Sequence, residues 1–235
     1  MSVFKFKHFD IVQKYASQKV GTDSMILGAL ATWKNPKQLL DIGTGTAVLA
    51  LMCAQRFQFE KIIALEINKM ACKDALINIA NSPFKSSIEL INEDVGNSIW
   101  EVQFDAIICN PPYFENSLVN PEIGKSIARH TLELPFDTLL AKTSSFLTKK
   151  GSAWFIFPFE SKERITRLCS KYQLYIHSSI QINGKKEKPI RIILEVSKAK
   201  TSCPQIGELT IRDENGNYTE SYKNLTLDYH LNTLQ

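Results

Sequence analysis

The chain has 235 residues, 44% of them hydrophobic and 22% charged, a balance that excludes a disordered polymer and suits one large domain with an unstapled core. No apolar run approaches the roughly 20 residues of a bilayer span, and Lys5 and Lys7 interrupt any signal-like opening, so a cytoplasmic protein with no membrane partner is expected. The net charge of +4 is mild but uneven: residues 1–37 hold six lysines against two aspartates, and Lys185, Lys186, Lys188 and Arg191 form a second basic run, as a phosphate-backbone partner requires.

In chain order, residues 1–37 read as a small helical N-terminal extension. Residues 39–42 form a short apolar strand ending in Gly43, and 48–57 are helix-permissive. Residues 62–67 predict a second strand, 69–80 a second helix, and 88–91 and 105–109 two further strands. A helix over 136–147, a strand over 153–157 and a helix over 161–172 with Ser161 as N-cap come next. Runs 175–182 and 190–196 are β-rich with no helix between them, so they should pair antiparallel. Near-continuous apolar strands alternating with helices predict an α/β fold: a doubly wound, mostly parallel seven-stranded sheet with an antiparallel last strand. The core spans 38–200, and the tail, 201–235, should pack as a hairpin or helix. Cys53, Cys72, Cys109, Cys169 and Cys203 form no C-x-x-C pair, which points to reduced thiols, mostly packed as small hydrophobes, and to no metal site. His8, His177 and His230 have no partners at ligand spacing, and Trp33, Trp100 and Trp154 read as core.

The chemistry concentrates at strand ends, where doubly wound sheets bind ligands. Asp41-Ile42-Gly43-Thr44-Gly45-Thr46 joins the first strand to the first helix, and its glycines let a ligand approach the backbone. Val48 replaces the third glycine of the dinucleotide fingerprint, and Asp41 would repel phosphate but attract a cation. S-adenosylmethionine carries an ammonium and a sulfonium and no phosphate, so the charge logic prefers it to NAD. Glu66, with Ile67 behind it, ends the second strand and can accept both hydroxyls of a ribose; Asp94 follows the third and can accept from an adenine amine.

Asn110-Pro111-Pro112-Tyr113 follows the fourth strand. An exocyclic aryl amine is a poor nucleophile because its lone pair is delocalised into the ring. Acceptors for its two N–H groups, here the Asn110 side-chain oxygen and the Pro111 carbonyl, let the nitrogen pyramidalise, and the two prolines hold that backbone rigid. Tyr113 offers a stacking face, worth about 1–3 kcal/mol, for a base splayed from its strand. Transfer from a sulfonium then needs alignment more than a strong base.

With these motifs, the chain resembles the bacterial tRNA-Val (adenine-37-N6)-methyltransferase family of Rossmann-like class I methyltransferases. The likeness rests on residues 4–9 and 19–28, on the Asp41–Gly45 loop, on Asn110-Pro111-Pro112-Tyr113-Phe114, and less specifically on Arg129-His130 and 218–231. The resemblance implies S-adenosylmethionine as donor and a tRNA adenine as acceptor. It further implies Gly21, Thr22 and Asp23 near the methionine moiety, residues 41–45 beneath it, Glu66 at the ribose and Asp94 near the adenine. Lys5, Lys7, Arg129, Lys185, Lys186, Lys188 and Arg191 are the expected RNA contacts of a protein read as a monomer. Two rival readings stand beside this one. Asn-Pro-Pro-Tyr also serves glutamine-amide methylation of release factors, although only 40 residues precede Asp41 where such enzymes carry a longer helical domain. A catalytically silent RNA-binding subunit would keep the fold, but such proteins usually lose the asparagine or glycines that this chain retains.

Overall fold

The computed structural model describes residues 2–16, 18–112 and 134–231. Its centre is an eight-stranded sheet. Four strands alternate with helices in the first half: β3 (Gln38–Ile42), α2 (Val48–Arg56), β4 (Lys61–Leu65), α3 (Lys69–Asn81), β5 (Ile88–Ile91) and β6 (Phe104–Cys109). The second half comprises α4 (Phe136–Phe146), β7 (Leu147–Pro158), α5 (Lys162–Lys171), β8 (Tyr175–Asn183), β9 (Pro189–Ser197), β10 (Gln205–Thr210) and α6 (Glu220–Thr226). The spatial order is β10-β8-β9-β7-β6-β3-β4-β5. Only β9 runs antiparallel, to β7 on one side and β8 on the other.

The strands alternate between two cores. Leu39, Ile62, Ala64, Ala106 and Ile108 face α2 and α3, while Leu40, Ile42, Ile63, Ile107 and Cys109 face α4 and α5. Burial on both faces explains why these strands read as continuous apolar runs. Asn68 starts α3 by accepting from the amides of Met70 and Ala71. Ser161 makes no such cap bond; a 3-10 turn over Phe159–Ser161 leads into α5 instead. Cys53, Cys72, Cys109 and Cys169 are buried, as expected, and Cys203 is exposed.

Two segments differ from the sequence reading. The N-terminal extension opens as a hairpin, β1 (Val3–Lys5) against β2 (Asp10–Val12), before its one helix, α1 (Thr22–Leu30). Phe4 and Phe6 alternate with Lys5 and Lys7, a period of two that suits a strand and not a helix. Phe6 stacks on Phe9 with centroids 4.5 Å apart and meets Tyr229 of the tail edge-on. The tail supplies an eighth strand as well as a helix. β10 lies parallel to β8 and pairs its outer edge, with Leu209 its one buried residue, so hydropathy marks it poorly.

Polar groups on α3 tie the extension to the core. Asn78, 1% exposed, accepts from the Val12 amide at 2.7 Å and donates to the carbonyls of Val12 and Thr46, each at 2.9 Å. One turn earlier, Asp74 accepts from the amides of Tyr15 and Ala16 at 2.7 and 2.9 Å. Asn78→Ala leaves a buried N–H and two carbonyls without partners and should lower stability by about 2–4 kcal/mol. Urea unfolding measures this, and a loss below about 0.5 kcal/mol would show that Asn78 does not hold the extension in place.

Candidate active site

Parallel strands bring the expected residues to one edge of the sheet. Asp41 on β3 lies between Ala64 of β4 and Ile108 of β6 in register, so the turn after β3 sits beside the residues that follow both neighbours. Gly43 and Gly45 adopt φ of +68° and +57°, and a Cβ at either would meet nothing within 4 Å among the described residues. The positive φ favours glycine there, and the open space leaves room for a ligand against the backbone.

The polar groups of this turn are arranged around carboxylates. Asp41 is fully buried; its Oδ2 accepts from the Thr44 hydroxyl at 2.5 Å and from the Ala50 amide, in the first turn of α2, at 3.1 Å. Its Oδ1 is buried with no hydrogen-bond partner among the described residues. Burial pushes the Asp41 carboxyl up to about 7; the bonds from Thr44 and Ala50 work against that rise, and the charge of Glu66 adds to it. Glu66, 8% exposed, accepts from the Gly45 amide through Oε2 and from the Asn68 amide through Oε1, both at 2.8 Å. Both carboxylates thus take amide hydrogens that a phosphate would need at a strand-to-helix turn. Each Glu66 oxygen keeps a second lone pair for a ligand hydroxyl.

Ile67, next to Glu66, is 40% exposed, an apolar surface beside the acid. Asp94 follows β5 and folds onto its own turn, accepting from the Gly96 amide at 2.8 Å and from the Asn97 side chain at 3.2 Å. Asn110 follows β6, with Pro111 buried and Pro112 partly so. Its Nδ2 donates to the Ser24 hydroxyl at 3.4 Å, which joins it to the first turn of α1. Gly21, Thr22 and Asp23 stand at that helix start. The structure therefore gathers the glycine turn, Glu66, the start of α1 and Asn110. Tyr113, Phe114, Arg129 and His130 lie outside the described residues.

The expected RNA-binding cations divide. Lys185, Lys186 and Lys188 are exposed in the β8–β9 turn, at the same sheet edge as the site. Lys7 lines a cleft of about 470 Å³ with Thr32 and Arg56, the last at the far end of α2 from the glycine turn, and Lys5 is exposed on β1 in the same extension. Arg191 is half of an ion pair, its Nε donating to Asp23 Oδ2 at 2.8 Å. Sequence reasoning missed this pair and Ser24, as well as Asp74 and Asn78; the last two had a legible signal, polar residues four apart on a helix face otherwise made of Ala71, Ala75 and Ile79. Among the described residues, no group of three or more His, Cys, Asp or Glu side chains could hold a metal ion, and no helix is long and apolar enough to cross a membrane.

The family model described as "Methyltransferase small domain" matches residues 13–161. A curated relative from Pedobacter heparinus, named tRNA1(Val) (adenine(37)-N6)-methyltransferase, is 36% identical over 231 residues, covering 98% of each chain. Among solved structures, a predicted O-methyltransferase from Agrobacterium tumefaciens superposes with a TM-score of 0.65 at 18% identity, covering 88% of this chain and 96% of its own. The glycopeptide N-methyltransferase MtfA, solved with S-adenosylmethionine, superposes at 0.57 with 11% identity, covering 76% of this chain and 94% of its own. At those identities the two structures establish a shared fold. The chain belongs to the methyltransferase small domain family and, within it, to the family of the tRNA1(Val) (adenine(37)-N6)-methyltransferases.

Proposed function

We propose that this methyltransferase uses S-adenosylmethionine to methylate the N6 amine of an adenine in tRNA, with adenine 37 of a valine tRNA as its substrate. The observation that carries the reading is that Asn110 and Pro111 follow β6, the strand paired with β3, whose glycine turn has open space before its backbone and acids that suit a cation. The names of the curated relatives support the choice of acceptor.

The donor fits the residues present. A buried Asp41 Oδ1 with no hydrogen-bond partner among the described residues, and a glycine turn with open space before it, suit a cationic ligand that carries no phosphate. In this reading Asp41, Gly43, Thr44, Gly45 and the start of α1 hold the amino-acid end, Glu66 takes the ribose hydroxyls, and Ile67 and Asp94 border the adenine. S-adenosylmethionine supplies a methyl group already activated on a sulfonium. Asn110 Oδ1 and the Pro111 carbonyl accept from the target amine and free its lone pair, and Tyr113 carries the stacking face. Pro111 and Pro112 hold these acceptors in line, which is where catalytic acceleration by orientation arises.

Mass spectrometry of tRNA nucleosides after incubation with the protein and S-adenosylmethionine should show N6-methyladenosine. Asn110→Ala should slow its formation by about 100-fold or more while cofactor affinity stays within about threefold. Near-normal turnover by that variant would remove Asn110 as the amine acceptor.

A pH dependence follows from Asp41. As pH falls through about 7 the ligand-free carboxyl takes up a proton, and its neutral form no longer attracts a cation. S-adenosylmethionine should therefore bind more weakly at about pH 6 than at about pH 7.5 and should release protons on binding, whereas Asp41→Asn should bind weakly with little dependence on pH over that range. Calorimetry in buffers of different ionisation enthalpy measures both, and a flat wild-type profile contradicts the assignment. Replacing Lys185, Lys186 and Lys188 together by Ala should weaken tRNA binding and flatten the slope of log K against log salt by about 2. An unchanged slope would place the β8–β9 turn outside the interface.

A further inference from the structure

We propose that Arg191 is a positioning residue that holds the start of α1 over the cofactor site through Asp23, and through Ser24 links that end of the site to Asn110. The inference rests on the methyltransferase reading above and gives Arg191 a task distinct from contact with RNA phosphate.

The geometry places one end of this link on a rigid element. Arg191 lies on β9, in register with Pro158 of β7 on one side and Ile182 of β8 on the other, so its backbone is held from both edges. Its Nε donates to Asp23 Oδ2 at 2.8 Å, and its Nη1 donates to the Ile190 carbonyl at 2.9 Å. Both side chains of the pair are only 21% exposed, which sets it apart from Lys37–Glu60, whose side chains are 70% and 64% exposed. A planar guanidinium at this depth restricts the carboxylate it holds more than a surface lysine does. Removing one partner leaves a poorly hydrated charge at the helix start.

The other end of the link touches the acceptor machinery. Ser24, 8% exposed, follows Asp23 directly, and its hydroxyl receives the Nδ2 hydrogen of Asn110. When a target amine donates to Asn110 Oδ1, the amide must turn Nδ2 away from it, and Ser24 stands where that nitrogen needs an acceptor. The far end of α1 is fixed independently, because Arg56 donates to the carbonyls of Gly28 and Ala31, each at 2.8 Å. The first turn is therefore the part of α1 that the Arg191–Asp23 pair controls.

The test is a double-substitution cycle with Arg191→Met and Asp23→Asn, read on S-adenosylmethionine affinity by calorimetry, on transfer kinetics, and on tRNA binding at several salt concentrations. Each single variant should weaken cofactor affinity and lower kcat/KM by about 10-fold, and the double variant should be no more than about twofold worse than either single one. Arg191→Lys should recover only part of the loss, and the salt slope of tRNA binding should match wild type. Losses that multiply in the double variant, or a salt slope reduced by about one in Arg191→Met while Asp23→Asn behaves as wild type, would overturn the proposal and make Arg191 a phosphate contact. The cofactor-affinity arm is read without tRNA. A wild-type protein that binds S-adenosylmethionine with the predicted coupling but modifies no tRNA would therefore refute the acceptor assignment and leave the positioning role standing.

Discussion

Two carboxylates that occupy backbone amides at one turn set the character of this molecule. The start of a helix behind a parallel strand is an anion site by default, since its amides are unpaired and its dipole favours negative charge. Here Asp41 takes the Ala50 amide and Glu66 takes the Gly45 amide, so the positive end is answered from within the chain. What remains is a glycine-lined opening bordered by negative groups, one of them strained by burial toward the neutral form. A ligand carrying positive charge relieves that strain, and a phosphate would add to it.

The second constraint is mechanical. α3 holds the N-terminal segment beside the site: Asn78 grips both Val12 and the Thr46 carbonyl of the glycine turn, and Asp74 takes the amides of Tyr15 and Ala16. One side chain thus ties the extension and the turn to the same helix. The tail packs on the extension from the other end of the chain. Tyr229, 1% exposed, packs against Phe6, and the Lys7 amide donates to its carbonyl at 3.1 Å. α1 packs against both the tail helix and α2, which starts at the glycine turn.

How much of this was legible depended on whether the signal was local. The glycine turn, the acids at successive strand ends and Asn110-Pro111-Pro112 stand out because each is a short motif at the end of an apolar run, and the structure gathers the glycine turn, Glu66 and Asn110 at one edge. The parallel core was legible because strands buried on both faces must be apolar throughout. β10 was not, since an edge strand such as Gln205–Thr210 buries little. The hairpin was misread as helix although Phe4 and Phe6 alternate with lysines. The pair between Asp23 and Arg191 spans 168 positions and leaves no local trace; each residue alone reads as a ligand contact. Sequence alone also does not show where the two basic runs lie: Lys5 and Lys7 sit in the N-terminal extension, and Lys185, Lys186 and Lys188 in the β8–β9 turn.

In the proposed reaction the turn after β3 receives the cationic amino-acid portion of the donor and directs its methyl group toward Asn110. A crystal structure of the protein with S-adenosylmethionine measures this directly. The ammonium should lie within about 4 Å of a carboxylate at the turn, and the methyl carbon should face Asn110. A methyl group pointing away from Asn110, or the turn accepting a nucleotide phosphate in preference to this donor, would contradict it.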